Sequence, residues 1–340
     1  MRISLHTLSP RQLQLFGALG SIIVVLLIAL FHGSPADFPS NAEGNPVLIT
    51  VAQGESGSEI ALALAQAGVV KSSGTFIRLL DGNSQGIGIA PGVHKISTHI
   101  PARAALSQLL DRSLIQNVIV VTEGSREADV ERLLRADKDL ISKPLANSYP
   151  LPLANPAHSL EGQLAPAQYS FTPGTTTGDA IKQMLAGAAK NFSTSGISHG
   201  FSGYSPYQLL TIASLVQIEA DPADFSKAVR VIYNRLQIGM PLQLNSTVAY
   251  AANISGQIGL SISQTHLQSA YNTYLHQGLP PTPISNPSLK ALQAVTHPAV
   301  GNWLYFITVK PHDTRFTNSY SEFEGWVTLY NHNVSIGAFK

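Results

Sequence analysis

Three regimes of hydrophobic patterning succeed one another along the chain. From Leu13 to Phe31 no residue is charged, and Ser21 to Phe31 is almost wholly apolar, enough for one bilayer-spanning helix of about 20 residues. Arg2 and Arg11 precede this run, so the positive-inside rule predicts a cytoplasmic tail over 1–12, a transmembrane helix over 13–32 and export of everything after His32. A cleaved signal peptide is the competing reading, although no Ala-x-Ala site follows in Phe31 to Ala36. Residues 33–45, rich in Pro, Ser, Asn and Gly, read as a linker. Short strand–turn–helix alternations come next. Val47 to Val51 predicts a strand and Ser58 to Ala65 a helix ending near Gly68. Asn117 to Val121 with Ser125 to Leu134, and Tyr169 to Phe171 with Asp179 to Leu185, repeat the pattern. Pro144, Pro150, Pro152 and Pro156 mark an extended connection. The pattern divides the exported part into a module over 46–110, a second strand–helix unit with its Pro-rich connection over 111–157, and a larger domain over 158–340.

The third regime is the apolar run Leu209 to Glu219, which carries one carboxylate at its end. Ser205-Pro206 opens it with an N-cap hydroxyl and a proline at the first helical position, so a helix is predicted. Ile212, Leu215 and Val216 lie seven, four and three residues before Glu219 and share its face at helical spacing. Desolvation there raises a carboxyl pKa toward neutrality, where the group is a proton donor; a solvated helix-end glutamate is the plain alternative. Asp221-Pro222 stops this helix, and Asp221 is placed to cap a second one begun by Pro222, with the stripe Phe225, Ala228, Val229, Ile232 and Leu236 and a stop at Gly239. The following loops, Gly239 to Val248, Tyr271 to Tyr274 and Gly278 to Pro287, are crowded with amides, hydroxyls, aromatic rings and prolines. That chemistry suits a sugar ring better than a phosphate, though Asn and Pro also build ordinary turns.

Composition removes other classes. Of 340 residues only 12% are charged and the formal net charge is +1, which provides no basic face for nucleic acid. Cysteine is absent, so neither a disulfide framework nor a thiol nucleophile is available. The 11 histidines are scattered without ligand spacing, so no metal is expected. No phosphate-binding loop is present and no cofactor is implied.

Ile212 to Glu219, Val231 to Leu236, Gly239 to Leu244, Tyr271 to Tyr274, Gly278 to Pro281, Thr296 to Ala299 and Trp303 to Phe306 stand in one order. In that order they resemble the catalytic domain of the endolytic murein transglycosylase (MltG, YceG-like) family, closest to its actinobacterial members. A weaker match, Leu160 to Tyr169, corresponds to a segment framing the same cleft. The chain departs from the family pattern at Asn245, where an Asp is usual, and at Ala165-Pro166-Ala167, where an aromatic precedes Pro-Asp.

The resemblance implies an α+β protein: one N-terminal transmembrane helix, LysM-like strand–helix modules and a mixed α+β catalytic domain. It implies a lyase in the cell membrane, with the catalytic domain outside and the N-terminus cytoplasmic. Peptidoglycan glycan strands would be the substrate and cell-wall synthesis proteins the partners. Glu219 falls on the family's catalytic glutamate. Asn234, Gln243, Asn245, Thr247, Tyr271, Asn272 and Thr273 are candidates to bind substrate through neutral hydrogen bonds. Glu161 is a candidate second carboxylate at the cleft or a buried one tying a turn to backbone amides. Tyr233 and His297 are expected to be buried, His297 with a hydrogen bond. A glycan hydrolase and a catalytically weakened, membrane-tethered glycan-binding scaffold are the alternatives.

Overall fold

A computed structural model describes residues 36–52, 54–82, 88–143, 149–155, 157–254 and 261–339. The predicted transmembrane helix and cytoplasmic tail lie outside the described residues, as do Pro144 and Pro156 of the connection. Among the described residues no helix is long and apolar enough to cross a membrane.

The chain divides into two compact units, with the boundary in sequence between Asn117 and Val118. In the first, β1 (Pro46–Val51) pairs antiparallel with β2 (Gly92–Ser97), and β2 with the short β3 (Ile115–Gln116). Helices α1 (Gly57–Gln66) and α2 (Ser73–Asp81) connect β1 to β2, and α3 (Ala102–Leu110) follows. Ser56 and Glu59 form a reciprocal cap at the start of α1: the Ser56 hydroxyl accepts the Glu59 N–H, and the Glu59 carboxylate accepts the Ser56 N–H. Ile49 and Val51, alternating inward from β1, close a core with Leu64, Phe76, Ile96 and Leu106. Strand β2 escaped the sequence reading because His94, fully buried in it, interrupts the apolar pattern.

In the second unit β4 (Val118–Val121) pairs antiparallel with β5 (Ala167–Ser170). Two of the three apparent repeats therefore share one sheet, and the strand–helix unit before the Pro-rich connection belongs with the residues after it. Helices α4 (Glu127–Ala136) and α5 (Thr177–Ser195) supply Val130, Leu134, Ile181 and Met184 to the core beside this sheet. A second core gathers around α6 (Pro206–Glu219), α7 (Phe225–Gln237) and α10 (Leu289–Thr296), with the short α8 (Asn245–Ala251) and α9 (Ile262–Thr265) between the last two. A hairpin of β6 (Tyr305–Lys310) and β7 (Asp313–Thr317) and the terminal helix α11 (Tyr320–Ser335) complete the unit.

Helix α6 starts as predicted, with the Ser205 hydroxyl accepting the Gln208 N–H. Every residue from Leu209 to Val216 is buried, so the middle of α6 is central and has no solvent-facing side, and only its two ends emerge, at Gln208 and at Ile218. Helix α7 begins at Phe225 rather than Pro222. Asp221 does not cap it: the Asp221 carbonyl accepts the Asp224 N–H at 2.8 Å, closing a turn that puts Asp224 at the cap position.

Candidate active site

Glu219 is the last residue of α6 and is half-buried. Its Oε1 accepts the N–H of Ser246 at 3.1 Å, one of the first-turn amides of α8 that have no partner within the helix. The Ser246 hydroxyl faces the same carboxyl but stands outside hydrogen-bonding geometry. Removal from water dominates and pushes the Glu219 pKa above the usual carboxylate range; Ser246 and the Arg235 guanidinium oppose this without cancelling it.

Arg235 comes from the last turn of α7 and is only 7% exposed. Its Nη1 donates to the Leu242 carbonyl at 2.6 Å, its Nε donates to the Leu304 carbonyl, and the guanidinium lies 5.3 Å from the centre of the Tyr305 ring. One cation thus fastens the loop before α8 and the strand β6 to the helix beside Glu219. Tyr274 donates to Asn245 Oδ1 at 2.6 Å, and burial and the Glu219 charge raise its pKa. Asn245 accepts this bond as a neutral amide and adds no negative charge beside Ser246, the residue that holds Glu219.

Glu161 is 2% exposed. Its Oε1 accepts the Glu127 N–H at 3.1 Å and its Oε2 the Tyr250 hydroxyl at 3.0 Å. Burial lifts its pKa to about 7, the Glu127 charge adding to the rise and Arg126 opposing it. The segment is pinned from both sides. Gly162, at φ +81, lies so close to the loop that an added Cβ would stand 2.7 Å from Pro283 Cβ, and Asn286 Oδ1 accepts the Leu164 N–H at 2.8 Å. Loop 278–287 is in turn bound to α6: Ser214 Oγ accepts the Ile284 N–H at 3.1 Å and the Ser285 hydroxyl donates to the Ser214 carbonyl at 3.1 Å.

The structure sorts the remaining candidates. Asn245 and Gln243 are exposed, the latter at φ 48 with its N–H on the Thr273 carbonyl. Half-buried Tyr271 shares a hydrogen bond with Thr282 at 2.8 Å. Thr247, Asn272 and Thr273 are buried, so direct sugar contact is replaced by loop-building. The Thr247 and Thr273 hydroxyls lie 3.0 Å apart, and Asn272 Nδ2 donates to the Thr265 and Leu267 carbonyls. Asn234 likewise donates to the Gly301 and Trp303 carbonyls. Tyr233 is a core residue whose hydroxyl donates to the Val295 carbonyl. His297 is exposed rather than buried, because it caps α10 with its ring turned back toward Gln293 and Thr296. A pocket of about 410 Å³ between α7 and α10 includes His297, Lys290 and Phe225 but not Glu219.

Arg235, Ser246, Tyr250 and Tyr274 were not singled out as site residues. Arg235 carried a signal, a charge set between Val231, Ile232 and Leu236 in an apolar stripe.

A half-buried carboxyl of raised pKa at a helix end, held by a backbone amide on an α+β scaffold, is a candidate acid–base site centred on one carboxyl group. The sequence profile of the YceG-like family matches residues 49–328, a span that takes in both compact units. The chain belongs to the YceG-like family. It is 29% identical over 298 residues to the endolytic murein transglycosylase of Bacillus subtilis, covering 81% of this chain and 82% of that one. It is 34% identical over 211 residues to the endolytic murein transglycosylase of Streptococcus pneumoniae, covering 56% of this chain and 38% of the relative. A crystal structure of a YceG-like protein from Listeria monocytogenes shares the fold, with a TM-score of 0.53 at 21% identity over 83% of this chain and 98% of that one.

Proposed function

We propose that this protein is an endolytic lytic transglycosylase that cleaves peptidoglycan glycan strands between N-acetylmuramic acid and N-acetylglucosamine. The general activity follows from the family and from its relatives' name; the mechanism is our reading of the site. Protonated Glu219 donates to the glycosidic oxygen, the bond from the anomeric carbon to that oxygen breaks with its electron pair leaving on oxygen, and positive charge develops at carbon. The sugar's own 6-hydroxyl then closes on the anomeric carbon and gives its proton to the Glu219 carboxylate. A 1,6-anhydro end forms, the acid is regenerated and no water is consumed.

The observation that carries this reading is the Glu219 carboxyl held by the Ser246 N–H at a helix end, its pKa raised by burial, while among the described residues the other candidate carboxylates are engaged elsewhere. Asp221 accepts from His312 and Asp224 from Lys227, while Glu161 is sealed by Glu127 and Tyr250. Cleavage in heavy-oxygen water tests it: a transglycosylase leaves the products unlabelled, whereas incorporation of one solvent oxygen per cut makes the protein a hydrolase.

Residues 13–32 are proposed to serve as a single membrane anchor, with the N-terminus cytoplasmic and both compact units outside. That placement makes newly made strands the reachable substrate and cell-wall synthesis proteins the natural partners. The strand–helix–helix–strand order of β1, α1, α2 and β2, with antiparallel strands, supports reading the first unit as LysM-like and glycan-binding. Deleting it while strand binding stays unchanged would remove that part of the account.

A further inference from the structure

The buried Glu161 and the half-buried Glu219 are joined through one short helix. Ser246 and Tyr250 stand four residues apart on α8 and so share a face. At one end the Ser246 N–H meets Glu219; at the other the Tyr250 hydroxyl meets Glu161. A helix of seven residues is too short to hold itself in place, so its side-chain anchors set where the Ser246 N–H points. Thr247 fastens the first turn to Leu244 and Thr273. Arg126 reaches the chain just beyond the helix, donating to the Ile254 carbonyl at 2.8 Å with its guanidinium 5.2 Å from the centre of the Tyr250 ring. Glu161 takes the Tyr250 hydroxyl itself.

We propose that Glu161 is a positioning residue for Glu219: by holding Tyr250 it fixes α8 and thereby the Ser246 N–H on the catalytic carboxyl, a role that rests on Glu219 being the acid–base group.

Both oxygens of Glu161 accept a hydrogen bond, one from the Glu127 N–H and one from Tyr250, which is the pattern of an ionised carboxylate. Protonation turns one oxygen into a donor and weakens the anchor. The groups acting on this equilibrium are the Glu127 carboxylate, itself held by the Ser159 hydroxyl at 2.9 Å and repelled by Glu131, together with the Arg126 guanidinium and the Tyr250 and Tyr207 hydroxyls. Burial brings Glu161 to about 7, so both states are populated near neutral pH. The two carboxyls then have opposite requirements: Glu219 starts the reaction protonated, and Glu161 anchors best ionised. Turnover rises with pH as Glu161 ionises and falls as Glu219 loses its proton.

The test measures kcat and KM of the full chain in detergent on uncrosslinked peptidoglycan strands across about pH 5–9, for the wild type, Glu161→Gln, Tyr250→Phe and Glu219→Gln. Glu161→Gln is expected to lower kcat about tenfold, with KM within about twofold, since misplacing a reacting group costs rate rather than affinity. Its acid limb flattens. Tyr250→Phe removes only a hydroxyl, keeps the ring under Arg126, and gives the same loss and the same flattening; it decides the matter should Glu161→Gln fail to fold. An acid limb unchanged in the folded variants, or a raised KM with kcat intact, overturns the positioning role while an inactive Glu219→Gln leaves the acid–base reading standing. Turnover by Glu219→Gln overturns both.

Discussion

Arg235 ties the packing of the site to its acidity, and replacing it separates the two. Arg235→Met keeps an unbranched side chain but withdraws the guanidinium from the Leu242 and Leu304 carbonyls and from the weaker contact with Pro241 at 3.4 Å. Hydrogen bonds from a charged donor contribute about 1.5–3 kcal/mol each. Two of them, offset by relief of the cost of keeping a cation buried, give a net loss of roughly 3 kcal/mol. For a unit of this size that lowers Tm by about 6–12 °C. The same cation favours the ionised form of Glu219, so its removal raises the Glu219 pKa further. Because the proposed reaction starts from protonated Glu219, the alkaline fall in kcat moves to higher pH. Arg235→Lys retains the charge but not the planar fork; it loses stability and leaves the alkaline limb in place. Thermal melts paired with pH–rate profiles on uncrosslinked strands read both effects. A limb that moves to lower pH in Arg235→Met, or equally far in Arg235→Lys, would refute the reasoning.

Further outcomes follow from the neighbouring contacts. Asn286→Ala leaves the Leu164 N–H without its acceptor and removes the bond from Nδ2 to the Ser125 carbonyl, a cost of about 2–3 kcal/mol to be read in urea unfolding; a change below about 0.5 kcal/mol, the scatter of neutral substitutions, would mean that the loop is held elsewhere. Gly162→Ala combines a left-handed φ of +81 with a 2.7 Å approach to Pro283 and is expected to destabilise by about 1–3 kcal/mol; an unchanged melting curve would contradict this packing. Asn245→Asp places a negative charge near Glu219, raises its pKa and shifts the alkaline limb upward, an effect that a pH–rate profile either finds or denies. Glu161 holds its proton more tightly folded than unfolded, so its contribution to stability is fully present below the unfolded carboxyl pKa and is lost as pH rises toward about 7. The loss amounts to roughly 3 kcal/mol. Glu161→Gln therefore melts no lower than the wild type at pH about 8 while turning over more slowly; a lower Tm would show that the ionised carboxylate stabilises the fold.

Much of the central helix pair was legible in the chain. Ser205-Pro206 and Asp221-Pro222 bracket α6 because capping and proline sterics act locally, and they put Glu219 at the helix end whatever surrounds it. The cause of its desolvation was not legible. Helical spacing assigned it to an apolar face, but α6 is buried all round from Leu209 to Val216, and the groups over the carboxyl, Ser246, Arg235 and Tyr274, arrive from other segments of the chain. Loop composition likewise pointed to polar chemistry without separating the residues that build the loop, Thr247, Asn272 and Thr273, from those left at its surface, Gln243 and Asn245. Glu161 had two readings in the sequence, and only the approach of Glu127 and Tyr250 shows what its oxygens do. Strand pairing was hidden for a related reason: three similar strand–helix units look like a repeat, yet β1 pairs with β2 while β4 pairs with β5, because a shared local pattern does not specify a partner.

In the proposed mechanism Glu219 alone supplies both proton transfers in a cleavage that uses no water. Mass spectrometry of the products from uncrosslinked peptidoglycan strands incubated with the wild type and with Glu219→Gln tests it most directly. The wild type is expected to give 1,6-anhydromuramyl ends and a folded Glu219→Gln to leave the strands intact; reducing ends from the wild type, or anhydro ends from the variant, would contradict a water-free role for Glu219.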